Sequence, residues 1–282
     1  MTYVKSEQVV DNMIHSGVAK STLPIQDLLI RGALAGALLG FGTTLAFTAE
    51  TQTQMGIIGA LLFPACFVIV ILLGLELVTG SFALIPVAVL AGKVTWRQMI
   101  YNWFWVIIGH LVGGFFYALL YVVSATHFGH IEDHAVVQKI INVAEAKTLG
   151  YAMLGTEGLI VVFVKAILCN WMVTLGAVMA MTSQSTFGKI AAMWLPILIF
   201  FAQGFEHAVV NMFVIPAGMM LGADITVSDW WLWNQVPVII GNLVGGALFT
   251  GLALYTTYRK AESKKVIEKE KAKTPVTSMQ RG

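Results

Sequence analysis

The sequence predicts an all-α polytopic membrane protein, a six-helix bundle of two inverted three-helix repeats with helices 2 and 5 broken. Three observations carry that prediction. Of 282 residues, 57% are hydrophobic and 11% charged, with mean hydropathy +0.79, where a soluble domain carries about 25% charged residues. Six apolar regions, about 28–49, 56–92, 98–124, 157–182, 188–221 and 235–259, reach the ~20 residues a spanning helix needs. The second and fifth of these are too long for one straight span, and both hold the same pattern: Gly74-x-Glu76 followed by Ile85-Pro86, and Gly204-x-Glu206 followed by Ile215-Pro216. A second pair, Gly109-His110 through Gly113-Gly114 and Gly241-Asn242 through Gly245-Gly246, follows at a similar distance.

In chain order, residues 1–27 form an amphipathic N-terminal segment. Val10, Met13, Ile14, Gly17 and Val18 share one helical face, Lys5, Glu7, Asp11 and Lys20 lie elsewhere, and the helix ends near Pro24, on the membrane surface or against the bundle. No cleavable leader with an apolar h-region is visible. Residues 28–259 are the membrane domain, with half repeats at about 28–135 and 150–259; 125–156 read as a polar loop and 260–282 as a charged tail. Lys5, Lys20, Lys93, Arg97, Lys189 and the tail bases fall on one side of a six-span arrangement. Glu50, Glu132, Asp133, Asp224 and Asp229 fall on the other, with Lys139 and Lys147 as its bases. Both termini are therefore expected in the cytoplasm. Three spans per half then turn the second half upside down relative to the first.

Unpaired backbone groups in lipid cost several kcal/mol each, so a broken helix must face protein or water. Each break is expected to point at a pore or cavity, where helix N-termini offer N–H groups and partial positive charge to a small anion. Glycine permits the turn, and proline is suited to restart a helix in its first turn. His207, beside Glu206 and four residues before Asn211, is an ionisable group at membrane depth and so a functional candidate, able to give a proton to a weak-acid anion. Thr79 lies at matching depth. Glu76 and Glu206 hold the same repeat position, and a carboxylate facing a pore repels anions, so both are expected to bind loop N–H groups. Asn170, Asn211 and Asn242 are buried amides suited to bracing a break, Asn242 more so than its counterpart His110. Phe63, Phe67, Leu77 and Phe200 are candidates for apolar constrictions, Lys147 for an outer vestibule that attracts anions, and Lys165 for snorkelling. Cys66 and Cys169 lie in apolar runs, and no Cys/His zinc spacing exists. No metal, cofactor, nucleic-acid partner or enzymatic motif is expected.

At Gly74-Leu-Glu76-Leu-Val-Thr79-Gly-Ser, at Cys169-Asn170-Trp171 and at Gly204-Phe-Glu206-His207-Ala-Val-Val-Asn211-Met-Phe, the chain resembles the formate/nitrite transporter family over about residues 25–260. The resemblance implies an aquaporin-like protomer, five protomers per ring, a pore through each, and passage of formate, nitrite or hydrosulfide in a cell inner membrane. It puts the central pore histidine on His207, its loop threonine on Thr79, and the loop leucine on Leu77. Constriction positions fall on Phe67, Phe200 and Phe63, helix-bracing asparagines on Asn170 and Asn242, and the vestibule lysine on Lys147. Leu75, Val78, Thr174 and Gly176 depart from the family's usual residues. Within the family, hydrosulfide or a lactate-type monocarboxylate is the alternative substrate. A reading of another class is a membrane anchor subunit with His110 and His207 as haem ligands.

Overall fold

The computed structural model describes residues 3–131 and 134–258. The predicted tail, 260–282, and the loop acids Glu132 and Asp133 lie outside the described residues. Among the described residues the chain is helical apart from turns and one isolated antiparallel bridge, Tyr3 to Ser183. Four helices among the described residues are long and apolar enough to cross a membrane: Ile25–Thr53 (α2), Trp96–Thr126 (α6), Thr156–Thr182, and the C-terminal helix Val227–Tyr258. Between them lie shorter apolar helices in two groups. Gly56–Leu62 (α3), Pro64–Leu72 (α4) and Val78–Leu90 (α5) make the first; Thr186–Ala202 (α10) and Ala208–Met220 (α11) make the second. The third long helix is α9 (Thr156–Met179), continued by a 3₁₀ turn.

Local chemistry sets several of these boundaries. Thr95 and Gln98 form a reciprocal capping box at the start of α6, Ser185 accepts from Gly188 N–H at the start of α10, and Thr226 and Asp229 cap the C-terminal helix. Outside the long helices, α1 (Ser6–Ser21) buries Val9, Val10, Met13, Ile14 and Gly17 and packs along α5.

Two expectations fail. Residues 125–156 are not simply a polar loop: Ala135–Lys147 (α7) and Leu149–Ala152 (α8) are helices, and α7 buries Val136, Val137, Ile140 and Ala144. That apolar spacing was present in the sequence but is short and flanked by charge. The two prolines also do not restart helices. Pro86 and Pro216 lie inside α5 and α11, where each removes one N–H and releases a carbonyl four residues earlier. Beside Pro216 the released carbonyl is that of Met212. Gly114 of α6 is set against it so closely that a Cβ there would come within 2.8 Å of the oxygen.

Glycine governs the interhelical contacts as the repeated motif predicts. A Cβ at Gly109 would lie 2.8 Å from the Leu29 carbonyl of α2, and one at Gly241 would lie 2.7 Å from the Phe163 carbonyl of α9. At Gly113 and Gly245 a Cβ would run into the Ala33 and Ile167 carbonyls. The outward faces carry exposed apolar side chains, including Ile30, Leu34 and Phe41 of α2 and Phe104, Val112, Phe115 and Phe116 of α6; a surface of that kind is suited to lipid or to sister subunits.

Gly113→Ala must separate two backbones, so it is expected to cost at least the ~1–3 kcal/mol of an overpacked core and to lower the unfolding temperature of the purified protein. Gly150→Ala, where the nearest atom to a new Cβ is 3.8 Å away, is expected to leave it unchanged.

Candidate functional site

Both breaks are built the same way. α4 ends in a turn at Gly74 (φ +64°) and α10 in a turn at Gly204 (φ +63°), values at which a side chain is strained. Gly74 N–H donates to the Ile71 carbonyl and Leu75 N–H to Val70; Gly204 N–H donates to Phe201 and Phe205 N–H to Phe200. These paired bonds, three and five residues back, are a Schellman closure, which satisfies the carbonyls a terminating helix leaves free. Residues 75–77 and 205–207 are non-helical, with Leu77 and His207 extended, and helix resumes at Val78 and Ala208, four residues after each glycine.

The restarting N-termini need acceptors for their first N–H groups. Val78 N–H donates to His110 Nε2 at 3.1 Å, and Ala208 N–H donates to Asn242 Oδ1 at 2.9 Å. His110 therefore performs the same task as Asn242, against the expectation that ranked it lower. Its Nδ1 faces the Gly32 carbonyl at 2.8 Å, so the neutral ring donates there and accepts at Nε2. With both nitrogens engaged by backbone, His110 has none left for a haem iron. Asn242 also donates to the Glu206 and Ala166 carbonyls, and Asn170 donates to the Thr79 and Asn242 carbonyls, tying one break to the other.

His207 is the N-cap of α11. Its Nδ1 accepts from Val210 N–H at 3.2 Å, and its Nε2 lies 3.1 Å from Thr79 Oγ1. An Nδ1 that accepts carries no proton, so the neutral ring holds its proton on Nε2 and presents it to the threonine hydroxyl. Thr79 is the second residue of α5. Among the described residues the Thr79 and Gly80 N–H groups find no acceptor. Two helix N-termini thus converge on one imidazole–hydroxyl contact, a setting of positive partial charge.

Glu76 and Glu206 correct the reading that loop N–H groups hold them. Each is paired with a lysine from a flanking helix: Lys20 of α1 to Glu76 at 2.9 Å, Lys147 of α7 to Glu206 at 2.8 Å. The same two lysines have their carbonyls bound by Asn102 and Asn234, each at 2.9 Å. Glu206 further accepts from Asn211 and Tyr151, both at 2.8 Å, and from Asn234 at 3.3 Å. Burial, and then the Glu206 carboxylate, push the Tyr151 phenol up, so it stays protonated and donates. Lys165 is 5.7 Å from the centre of the Tyr151 ring. Sequence reasoning missed Lys20, Asn102, Tyr151 and Asn234 as parts of this arrangement. Asn102 and Asn234 each stand eight residues before His110 and Asn242, a regularity that could have exposed them.

A cavity of about 180 Å³ reaches this centre, lined by His207, Phe200, Phe201, Lys147, Thr43 and Val214 among others. Lys139 and Glu50, paired at 2.7 Å, also stand in its wall. Of the predicted constriction residues, Phe200 stacks on His207 at 5.7 Å and meets Phe63 edge-on at the same distance. Phe67 is buried, close to Gly176 of α9. Leu77 is the N-cap of α5, the counterpart of His207. At the opposite end of α10 a second cavity, about 800 Å³, is lined by Ile71, Leu72, Ala177, Asn12, Ser16 and Lys189 among others.

The sequence model of the formate/nitrite transporter family matches residues 7–256. The chain is 33% identical over 269 residues to the formate channel BtFdhC of Bacillus thuringiensis, covering 93% of this chain and 99% of that protein. It is 33% identical over 275 residues to the uncharacterized transporter YrhG of Bacillus subtilis (strain 168), 93% and 96% of the two chains. The formate channel FocA of Escherichia coli (strain K12) is 29% identical over 277 residues, covering 86% and 90%. Among solved structures, an FNT family ion channel superposes with TM-score 0.72 at 27% identity, covering 89% of this chain and 97% of that one. A pentameric formate channel with formate bound superposes with TM-score 0.67 at 22% identity, covering 83% and 97%.

The unequal support of the two carboxylates has a measurable consequence. Lys20→Met removes the one donor to Glu76 seen among the described residues and is expected to cost roughly 3–5 kcal/mol, as removal of one partner of a buried pair does. Lys147→Met leaves Glu206 three donors and is expected to cost clearly less. Thermal unfolding of the two variants side by side checks the order.

Proposed function

The chain belongs to the formate/nitrite transporter family, and we propose that it is a channel or transporter for a small monovalent weak-acid anion, formate or nitrite, with His207 at the narrowest part of its path. The observation that carries this reading is the 3.1 Å contact between His207 Nε2 and Thr79 Oγ1, set between two helix N-termini at the end of a cavity. The protein is a multi-pass membrane protein of a transporter family.

The physics of the site favours a weak acid. Moving a bare anion into a water-poor constriction is very costly, and neutralising it by a proton removes most of that cost. Lys139 and Lys147 place positive charge in the outer cavity wall, although each is shared with a carboxylate, Glu50 and Glu206. The Thr79 and Gly80 N–H groups, without an acceptor among the described residues, and the Nε2–H of His207 are donors a carboxylate or nitrite can meet. The Nε2–H of His207 can donate a hydrogen bond to the anion, the proton that neutralises it comes from water, and Thr79 holds the ring's orientation. Phe200, with Phe63 behind it, and Phe67 and Leu77 on the other side, exclude water and set the width. Asn170, Asn211, Asn242, Glu76 and Glu206 hold the broken helices in place.

Six spans follow if each interrupted group counts as one: α2, α3–α5, α6, α9, α10–α11 and the C-terminal helix. The shared break geometry supports a pair of inverted repeats. The membrane domain then runs over 28–259, preceded by the amphipathic segment 1–27. We place the protein in the cell inner membrane with both termini in the cytoplasm, on the lysine and arginine distribution, and assembled as a homopentamer, as the solved formate channel is described. Hydrosulfide and lactate are the substrates of the same family against which formate and nitrite are to be compared.

Proteoliposome flux with a panel of weak-acid anions at two pH values tests the reading. Formate and nitrite flux is expected to rise as the outer pH falls. In His207→Phe it is expected to drop by roughly tenfold or more and to lose its pH dependence; an unchanged rate and pH profile would remove His207 from the mechanism. Phe200→Ala opens the wall against which the imidazole stacks and is expected to raise lactate flux relative to formate.

A further inference from the structure

The two break clusters share a carboxylate, its paired lysine and an asparagine on the lysine carbonyl, but five residues after the carboxylate the first half lacks two hydrogen bonds that the second half makes. In the second half the Asn211 side-chain amide donates one hydrogen to Glu206 Oε2 and the other to Asn234 Oδ1, both at 2.8 Å. Asn211 stands five residues after Glu206, and Ser81 stands five residues after Glu76. The counterpart of Asn234 is Asn102: each stands eight residues before the group that caps the restarting helix, and each donates its amide to the carbonyl of the paired lysine.

In the first half the atoms that should meet across this cluster have no protein partner among the described residues. They are Glu76 Oε2, Ser81 Oγ and Asn102 Oδ1. All three residues are almost wholly buried, at 2%, 0% and 1% exposure. Buried carboxylate, hydroxyl and amide oxygens left without partners are each costly, and a group of them in one cluster calls for a partner. Their chemistry states what is missing. Glu76 Oε2 and Asn102 Oδ1 only accept, and Ser81 Oγ has a hydrogen to donate. The group between them must give two hydrogen bonds and receive one.

We propose that Glu76, Ser81 and Asn102 bind one buried water molecule, the counterpart of the Asn211 side-chain amide in the other half. The water donates to Glu76 Oε2 and to Asn102 Oδ1 and accepts from the Ser81 hydroxyl. Three bonds to otherwise unsatisfied buried groups are the usual complement of an internal water. It completes the shell around the Glu76–Lys20 pair, which in the second half protein donors complete. Serine, two heavy atoms shorter than asparagine, supplies the room. The inference does not depend on which anion passes.

A structure of the intact protein in lipid nanodiscs, at a resolution that shows ordered water, tests it. The expected result is a density peak within hydrogen-bond distance of Glu76 Oε2, Ser81 Oγ and Asn102 Oδ1. In Ser81→Asn the peak is expected to disappear and the new amide to take its place, with the unfolding temperature at or above that of the unaltered protein; in Ser81→Ala it is expected to fall. Two results overturn the proposal in the unaltered protein. One is Glu76 Oε2 within direct bonding distance of Asn102 Oδ1, which means a protonated carboxyl. The other is the Ser81 hydroxyl turned directly onto Glu76 with no peak between them. A peak that persists in Ser81→Asn overturns it as well. If that variant does not fold, the density of the unaltered protein decides.

Discussion

A helix interrupted among apolar side chains exposes N–H and C=O groups that nothing nearby can satisfy, and each orphan costs more than most single contacts return. The architecture around residues 73–77 and 203–207 is the answer to that constraint. Glycine at positive φ closes the ending helix on its own carbonyls. A ring nitrogen or an amide oxygen from a neighbouring helix receives the first N–H of the helix that resumes. Asn170 joins the two sites through backbone carbonyls. The close helix contacts at Gly109, Gly113, Gly241 and Gly245 belong to the same solution: without them neither His110 nor Asn242 would reach its break.

The two halves stop matching at two positions of the break. At the N-cap of the resuming helix one half has Leu77 and the other His207. At the bracing position the order is reversed, with His110 in the first half and Asn242 in the second. The two histidines have therefore been given opposite tasks by their hydrogen bonds. His110 spends both nitrogens on backbone and is structural. His207 spends one nitrogen on backbone and turns the other to a hydroxyl beside a cavity. Depth in the membrane does not separate them; the inventory of partners does.

Much of this was legible in the chain. Four of the six apolar regions correspond to single long helices and the other two to groups of shorter ones, and the repeated Gly-x-Glu marked both breaks because a glycine at positive φ and a buried carboxylate are each hard to replace. What escaped was of two kinds. Pro86 and Pro216 mark the middle of the resuming helices because a proline inside a helix is tolerable where a close neighbour such as Gly114 accommodates the released carbonyl, and no local rule in the sequence announces that. The carboxylate partners Lys20 and Lys147 lie 56 and 59 residues from Glu76 and Glu206. Pairings at that separation are set by the packing of whole helices and leave no trace in local composition.

Those lysines change what counts as the repeated unit. Lys20 is next to last in α1 and Lys147 is last in α7. Each helix packs along the resuming helix of its half, α5 or α11. Each lysine offers its ammonium to the break carboxylate and its carbonyl to an asparagine eight residues before the bracing group. Each carboxylate is buried, Glu76 at 2% and Glu206 at 1% exposure, and its lysine is the charged group set against it. The amphipathic helix that precedes the first span is therefore as much a part of the core as the spans are. Its apolar face, Val9, Val10, Met13 and Ile14, positions a charge that the break needs, just as Val136, Val137, Ile140 and Ala144 do in the second half.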